Sequence, residues 1–366
     1  MTFGIHPQET PAHAVRRAAL ADLEQCAHAL DAIATAPEAN VHLVRKRAKR
    51  LRALLRLARD MMGERDYRRA NALVRDGARE LASAREAAVR RHGLELLLAA
   101  LPGLDAAFVQ SLRTELGVAG SEHAPPARAV DEARAAFQSV SRAFEALHGS
   151  ENWSAIAPGL RRSYRRGRRL MRAGLRTPTT HGLHQWRKWV KYQWHQVELL
   201  APLWPEDLQT RALRLKHLAD LLGDEHDLAD LRESLLASPH TRSQPAIAAR
   251  MLGAIDERRR LLRKDALQIG TRLFAEDARA FEQRLGRYYR AFVQQQHADL
   301  DALDSAESAL DSAEATLDSS AVYPPETSSP KVALDAAEPA LDATEPALDA
   351  PEGALDSHDY KRSTTA

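Results

Sequence analysis

The run His42-Leu43-Val44-Arg45-Lys46-Arg47-Ala48-Lys49 returns 142 residues later as His184-Gln185-Trp186-Arg187-Lys188-Trp189-Val190-Lys191. The shared residues stand at i, i+3, i+4 and i+7. An α-helix sets those positions in one column, whereas a strand would split them between two faces. The repeat therefore calls for helix at two places and for a chain built of two similar halves. A second segment returns at an offset of 141. Leu81-Ala82-Ser83-Ala84-Arg85-Glu86 lines up with Leu222-Gly223-Asp224-Glu225-His226-Asp227, and Arg75 with Lys216. The halves are expected over about 8–150 and 151–295, each a bundle of four or so helices.

The remaining sequence agrees with an all-α fold. Aromatic residues make up only 5% of the chain, while helix-forming Ala, Leu and Arg abound. Breakers fall at Pro37, Gly63, Pro102-Gly103, Pro125-Pro126, Pro158-Gly159, Pro178, Pro205, Pro239 and Pro245. Pro37 and Pro178 stand just ahead of the two motifs, where proline starts helices. A single cysteine, Cys26, leaves no disulfide framework within the chain. No apolar run is long enough to insert in a membrane and no secretory leader is visible, so a cytoplasmic protein is expected.

The formal net charge of +2 conceals an asymmetry. The chain holds 50 acidic and 52 basic residues; 16 and 3 of them lie from Ala298 onward, leaving 34 and 49 before it. A basic body carries an acidic tail, and such a body attracts polyanions in a salt-sensitive way. In the tail an Ala-Leu-Asp-x-x-Glu unit returns every seven residues, from Leu303 to Leu317 and from Leu334 to Leu355. Its small Ala positions and Pro339, Pro346 and Pro351 argue against a coiled coil. Residues 298–366 are expected to be disordered, with transient helix in the first block. The tail is either a passive solubiliser or an internal competitor that folds back on the basic body.

On a helix, His42, Arg45, Lys46, Lys49, Arg52 and Arg56 share one face. Val44, Ala48, Leu51, Leu55 and Ala58 take the other. In the second copy His184, Arg187, Lys188, Lys191 and His195 share the basic face, with Trp186, Val190, Val197 and Leu200 on the apolar one. No acidic residue falls between His42 and Arg59, or between His181 and Gln196. Arg161, Arg162, Arg165, Arg166, Arg168, Arg169 and Arg172 form a third such column. Like charges at i,i+4 repel, so these columns call for an anionic partner. Arg offers bidentate contacts to phosphate, and Lys a mobile point charge. A single basic run is ordinarily a solvated helix face; its recurrence with the His retained favours a ligand. Each His is expected in the first turn of its helix, beside unbonded backbone N–H groups. Anion binding is then expected to strengthen as pH falls through neutrality.

At these residues the sequence resembles the CHAD family, the conserved histidine α-helical domain. The carrying features are the two His-x-x-Arg-Lys-x-x-Lys runs, Leu221-Leu222-Gly223-Asp224-Glu225-His226-Asp227 and Tyr164-Arg165-Arg166-Gly167-Arg168-Arg169, over nearly all of 10–293. The resemblance implies two four-helix bundles related by a pseudo-two-fold axis, with a basic central groove or pore and a domain over 8–295. It implies binding of inorganic polyphosphate, association with bacterial polyphosphate granules, and no enzymatic activity or cofactor. Arg75 and Lys216 join the two motif columns and the arginine column as candidate contacts. The chain departs from the pattern at Ala82–Glu86, where the turn chemistry of Gly223–Asp227 is weaker, and at Trp194, which replaces the equivalent of Arg52.

Two other functions compete. Nucleic-acid phosphates fit the same columns, but the basic faces lack the aromatic, Asn and Gln groups that read bases, so weak non-specific affinity is expected. A phosphatase or polyphosphate kinase needs converging metal ligands or a Gly-rich phosphate loop. Asp224, Glu225, His226 and Asp227 are the densest acidic cluster, and successive helix positions diverge by about 100°. They are expected to form helix-end or inter-helix salt bridges. No metal site is expected.

Overall fold

The computed structural model describes residues 3–81, 93–95, 97–98, 101, 103, 105–116, 125–147 and 152–320, with side chains described up to Ser312. Among the described residues every regular element is a helix, and there is no strand. The long helices are α1 (Pro11–Asp31), α2 (Pro37–Met62), α3 (Glu64–Glu80), α4 (Ala106–Glu115), α5 (Ala127–Glu145), α6 (Ala157–Arg176), α7 (Thr180–Leu200), α8 (Pro205–Ala237), α9 (Pro245–Leu273) and α10 (Ala278–Ser320), with short helical turns at Trp153–Ala155, Ala201–Leu203 and Pro239–Arg242. Residues 1–307 form one compact unit and residues 308–366 a second.

The breakers do what their chemistry dictates. Pro11, Pro37, Pro205 and Pro245 occupy first-turn positions of α1, α2, α8 and α9, where a missing N–H costs nothing. Thr10, Asp105 and Thr179 cap α1, α4 and α7 by accepting a hydrogen bond from a first-turn amide. Pro158-Gly159 does not interrupt the chain; it lies inside the first turn of α6. A Cβ on Gly159 would stand 2.3 Å from the Arg56 carbonyl oxygen and 2.8 Å from Leu57 Cα. The glycine is what lets α6 cross α2 backbone to backbone.

In the first half α1 packs on α2, α2 on α3, α3 on α5, and α5 back on α1. In the second, α6 packs on α7, α7 on α8, α8 on α9, and α9 back on α6. Each ring of four contacts is the arrangement of a four-helix bundle. The rings join because α2 lies against both α6 and α7. They share a single core: Val44, Leu51 and Leu55 of α2 belong to the same buried cluster as Trp186, Val190 and Val197 of α7. A smaller cluster gathers Phe108 and Leu112 of α4 against Leu231, Leu235, Met251 and Ile255 of α8 and α9.

Two expectations bear on this architecture. The first heptad block lies in α10, which continues without a break to Ser320. Once residues 278–297 have nucleated a helix, each further residue adds one hydrogen bond for the one residue it fixes, and the Ala, Leu and Glu of the block favour that extension. Residues 321–366, with the second block, lie outside the described residues, and so do Ala82–Glu86. The Asp224–Asp227 cluster does not end a helix, because it sits in the middle of α8. Glu225 is buried there and accepts from Arg259 at 2.9 Å and Arg263 at 2.7 Å, tying α8 to α9. That is the inter-helix alternative of the expectation.

Candidate functional site

The apolar stripes of both motif helices are where the wheel puts them. Val44, Ala48, Leu51, Leu55 and Ala58 are buried, as are Trp186, Val190, Val197 and Leu200. Burying those stripes fixes the opposite faces, so the basic columns of α2 and α7 are set by the core rather than by each other. α2 and α7 also touch, and Arg52 of the α2 column lies 5.6 Å over the Tyr192 ring of α7. The Lys188 ammonium lies below its ordinary range, held there first by burial and then by the Arg52 charge. Two cations from different halves of the chain thus feel one another.

Flanking helices complete this seam. From α3, Asn71 accepts from Arg52 Nε at 3.1 Å, and the Ala78 carbonyl accepts from Arg45 at 3.3 Å. From α8, His226 places its ring 4.1 Å from that of His184. Gly223 makes room for Arg187: an added Cβ would stand 2.6 Å from the guanidinium. Burial, followed by His226, Lys188, Arg187 and His181, pushes the His184 imidazole down to about 4. His184 is therefore neutral near pH 7. His42, Lys46 and Lys188 are exposed, while Arg45, Lys49, Arg52, His184, Arg187 and Lys191 are half-buried. Arg75 is one turn beyond Asn71 on α3 and pairs with Asp76 at 2.8 Å. Lys216 is two turns before Gly223 on α8 and pairs with Asp220 at 3.7 Å. Both are exposed on the stripes that border the seam.

The structure departs from the sequence reading in several places. Arg56 is buried, its guanidinium 3.7 Å over the Tyr192 ring and 5.2 Å from that of Trp189. His195 is buried as well, with Nδ1 2.8 Å from a Glu198 carboxylate oxygen and its ring stacked on Trp194. Both residues end their columns where α2 and α7 are enclosed by other helices, so neither reaches a surface ligand. His42 and His184 are the sixth and fifth residues of their helices, not first-turn residues. Backbone bonding is already established at Asn40 and Leu183, ahead of both imidazoles. Nor are the columns remote from acid once folded: Asp76 of α3 acts on Arg52, and Asp224 of α8 on Arg187.

The third column stands apart. Arg162 pairs with Asp60 of α2. Arg168 donates to the carbonyls of Phe274 and Ala275, beyond the last turn of α9. On α7, Gln196 meets Ser163 of α6, whereas Arg187 meets α8. α6 meets α7 at Gln196 and at Leu183, which lie about 120° and 100° to either side of His184, so α6 and the seam column lie on opposite flanks of α7. Arg161, Arg165, Arg169 and Arg172 are exposed on α6, and Arg166 is half-buried.

Asn71, Tyr192, Gly223 and His226 complete the seam without having been singled out for it. Gly223 carried a readable signal, a glycine inside a strong helical pattern; Asn71 and Tyr192 carried none. Among the described residues no three His, Cys, Asp or Glu side chains gather into a metal-holding group. No described helix is long and apolar enough to cross a membrane.

The CHAD domain family model matches residues 17–236. No curated protein and no solved structure matches the chain. The CHAD domain is associated with polyphosphate binding in general. The match is shorter than the resemblance read over 10–293, yet α9 beyond it is tied to α8 by the buried Glu225 pairs. It spans both basic motifs and Gly223 and covers more than half of the residues, and the chain belongs to the CHAD domain family.

Proposed function

We propose that this protein binds inorganic polyphosphate along the seam between α2 and α7 and performs no catalysis on it. The observation that carries the reading is the meeting of the two repeated helices' cations, with Arg52 of α2 lying 5.6 Å over Tyr192 of α7 and its charge acting on Lys188. Gathering like charges at a partly buried place costs free energy, and a linear polyanion offsets that cost along the whole seam. Arg45, Lys46, Lys49, Arg52, Arg187, Lys188 and Lys191 supply the cations, and the rims add Arg75 and Lys216. His42 lies at the exposed end of the α2 column and His184 beside His226. The same reading places the protein in the cytoplasm at polyphosphate granules. Arg56 serves the seam indirectly, by bracing Arg52 against Tyr192.

The test is polyphosphate binding across chain length and salt for wild type, Lys188→Glu and Gly223→Ala. Lys188 is exposed, so its reversal leaves the fold intact and should lower affinity at least tenfold. An alanine at 223 improves helix propensity by about 0.5–1 kcal/mol but displaces the Arg187 guanidinium. Affinity should fall severalfold while the melting temperature stays level or rises. Unchanged binding in both variants would sink the seam. Nucleic acid is the rival occupant, and duplex DNA that resists displacement by polyphosphate at equal phosphate concentration would replace it. Metal-dependent phosphate release from the bound chain would overturn the non-catalytic reading.

A further inference from the structure

The arginines of α6 are left over once the seam is assembled. Arg161, Arg165, Arg169, Arg172 and Arg176 are all exposed. Among the described residues none of the five has an ion pair or hydrogen bond to another side chain. The helix Ala157–Arg176 contains no acidic residue at all. The spacing i, i+4, i+8, i+11, i+15 lays them in one row about 22 Å long.

The direction of this row follows from what α6 touches. Ser163 bonds to Gln196 of α7, and Gly174 lies against Leu183 of α7. Arg161 and Arg165 are each two residues from Ser163, and Arg172 and Arg176 two residues from Gly174. Two residues is about 200° of helix, so these four point away from α7. The seam column of α7 faces away from α6: His184 in that column stands about 100° round the helix from Leu183 on one side and about 120° from Gln196 on the other. The two cationic tracks are therefore back to back, with α6 and α7 between them.

We propose that the α6 row is a second polyphosphate track, and that the protein is a bivalent bridge that joins separate chains. This inference rests on the polyphosphate reading of the seam. A phosphate polymer suits the row because arginines at one-turn intervals meet successive anionic groups bidentately. The row carries no Asn, Gln or aromatic residue for reading bases. Its single exposed apolar neighbour, Leu175, is too little to insert in a lipid surface. Neither track can serve the other's segment of chain without the polymer wrapping round two helices. At high chain density each molecule therefore ties two polymers together, and the bridges multiply by avidity.

The full-length protein is compared with two variants, Lys188→Glu for the seam and Arg165→Glu/Arg169→Glu/Arg172→Glu for the row. The three arginines are exposed and, among the described residues, unpaired, and circular dichroism with a thermal melt checks the fold of each variant. Calorimetry with short polyphosphate counts chains bound; light scattering with long polyphosphate reads bridging. Wild type should bind two short chains per molecule and each variant one. Only wild type should assemble long chains into scattering particles. One short chain per wild-type molecule, with scattering undiminished in the triple variant, would overturn the bridge and leave the seam standing. Loss of duplex DNA or anionic vesicle binding in the triple variant, with scattering kept, would overturn it too. No binding by wild type at all would remove the parent reading instead.

Discussion

At the scale of single residues, chemistry was readable wherever it depended on a residue's own helix. Val44, Leu51 and Val190 had to be core because the period of their helices says so. Arg56 and His195 were placed wrongly because their fate depends on which other helix covers them. A helical wheel shows an arginine's direction and not what stands there; Tyr192 stands over Arg56. His184 shows the same limit in its titration. A cationic column on paper suggests a histidine protonated near neutrality, but burial and the charges of Lys188 and Arg187 hold it to about 4. The unfolded chain takes up this proton near 6.5, the folded chain only near 4. Between those values the unfolded state binds more protons, so stability falls as pH drops through the window and levels off below it. In His184→Gln the slope of melting temperature against pH should flatten between about 6.5 and 4. Bound polyphosphate favours the protonated ring, so affinity should climb on acidification within that same window rather than across neutrality. An NMR titration of His184 with a midpoint near 6.5 would refute both expectations.

At the scale of elements, composition and breakers were enough to place helices, because proline and capping residues act locally. Thr10, Asp105 and Thr179 cap as such residues do anywhere. Pairing between helices was less legible, and the Asp224–Asp227 cluster illustrates why. Its role depends on Arg259 and Arg263, more than thirty residues away on α9. Glu225 is fully enclosed and holds both guanidinium groups on one carboxylate oxygen. Arg259 is itself buried. Removing the carboxylate strands a charge in the interior, which costs about 3–5 kcal/mol for a buried pair. Glu225→Ala should therefore shift the urea midpoint strongly, and Glu225→Gln less, since the amide oxygen still accepts a hydrogen bond. A loss under about 1 kcal/mol in the alanine variant would mean the pairs contribute little net stability. The same reasoning explains why α9, beyond the family match, belongs to the fold.

At the scale of the whole molecule, the charge asymmetry has a kinetic consequence that needs no contact between tail and body. From Ser308 onward the chain carries 12 acidic and 3 basic residues, so removing 308–366 takes the formal net charge from +2 to +11. Long-range attraction between a protein and a polyanion acts on the encounter rate and is screened over about 10 Å at 0.1 M salt. The residues proposed to hold polyphosphate all lie before Ser308, so the truncation leaves the seam itself unaltered. Association with polyphosphate should then accelerate several-fold at low ionic strength, while the dissociation rate stays near that of the full chain. The difference should shrink steadily with added salt, because what the tail supplies is a screened field. Stopped-flow mixing at a series of salt concentrations reads both rates. A slowed dissociation, or an acceleration that survives high salt, would mean the acidic segment acts through occupancy of a cationic site rather than through net charge.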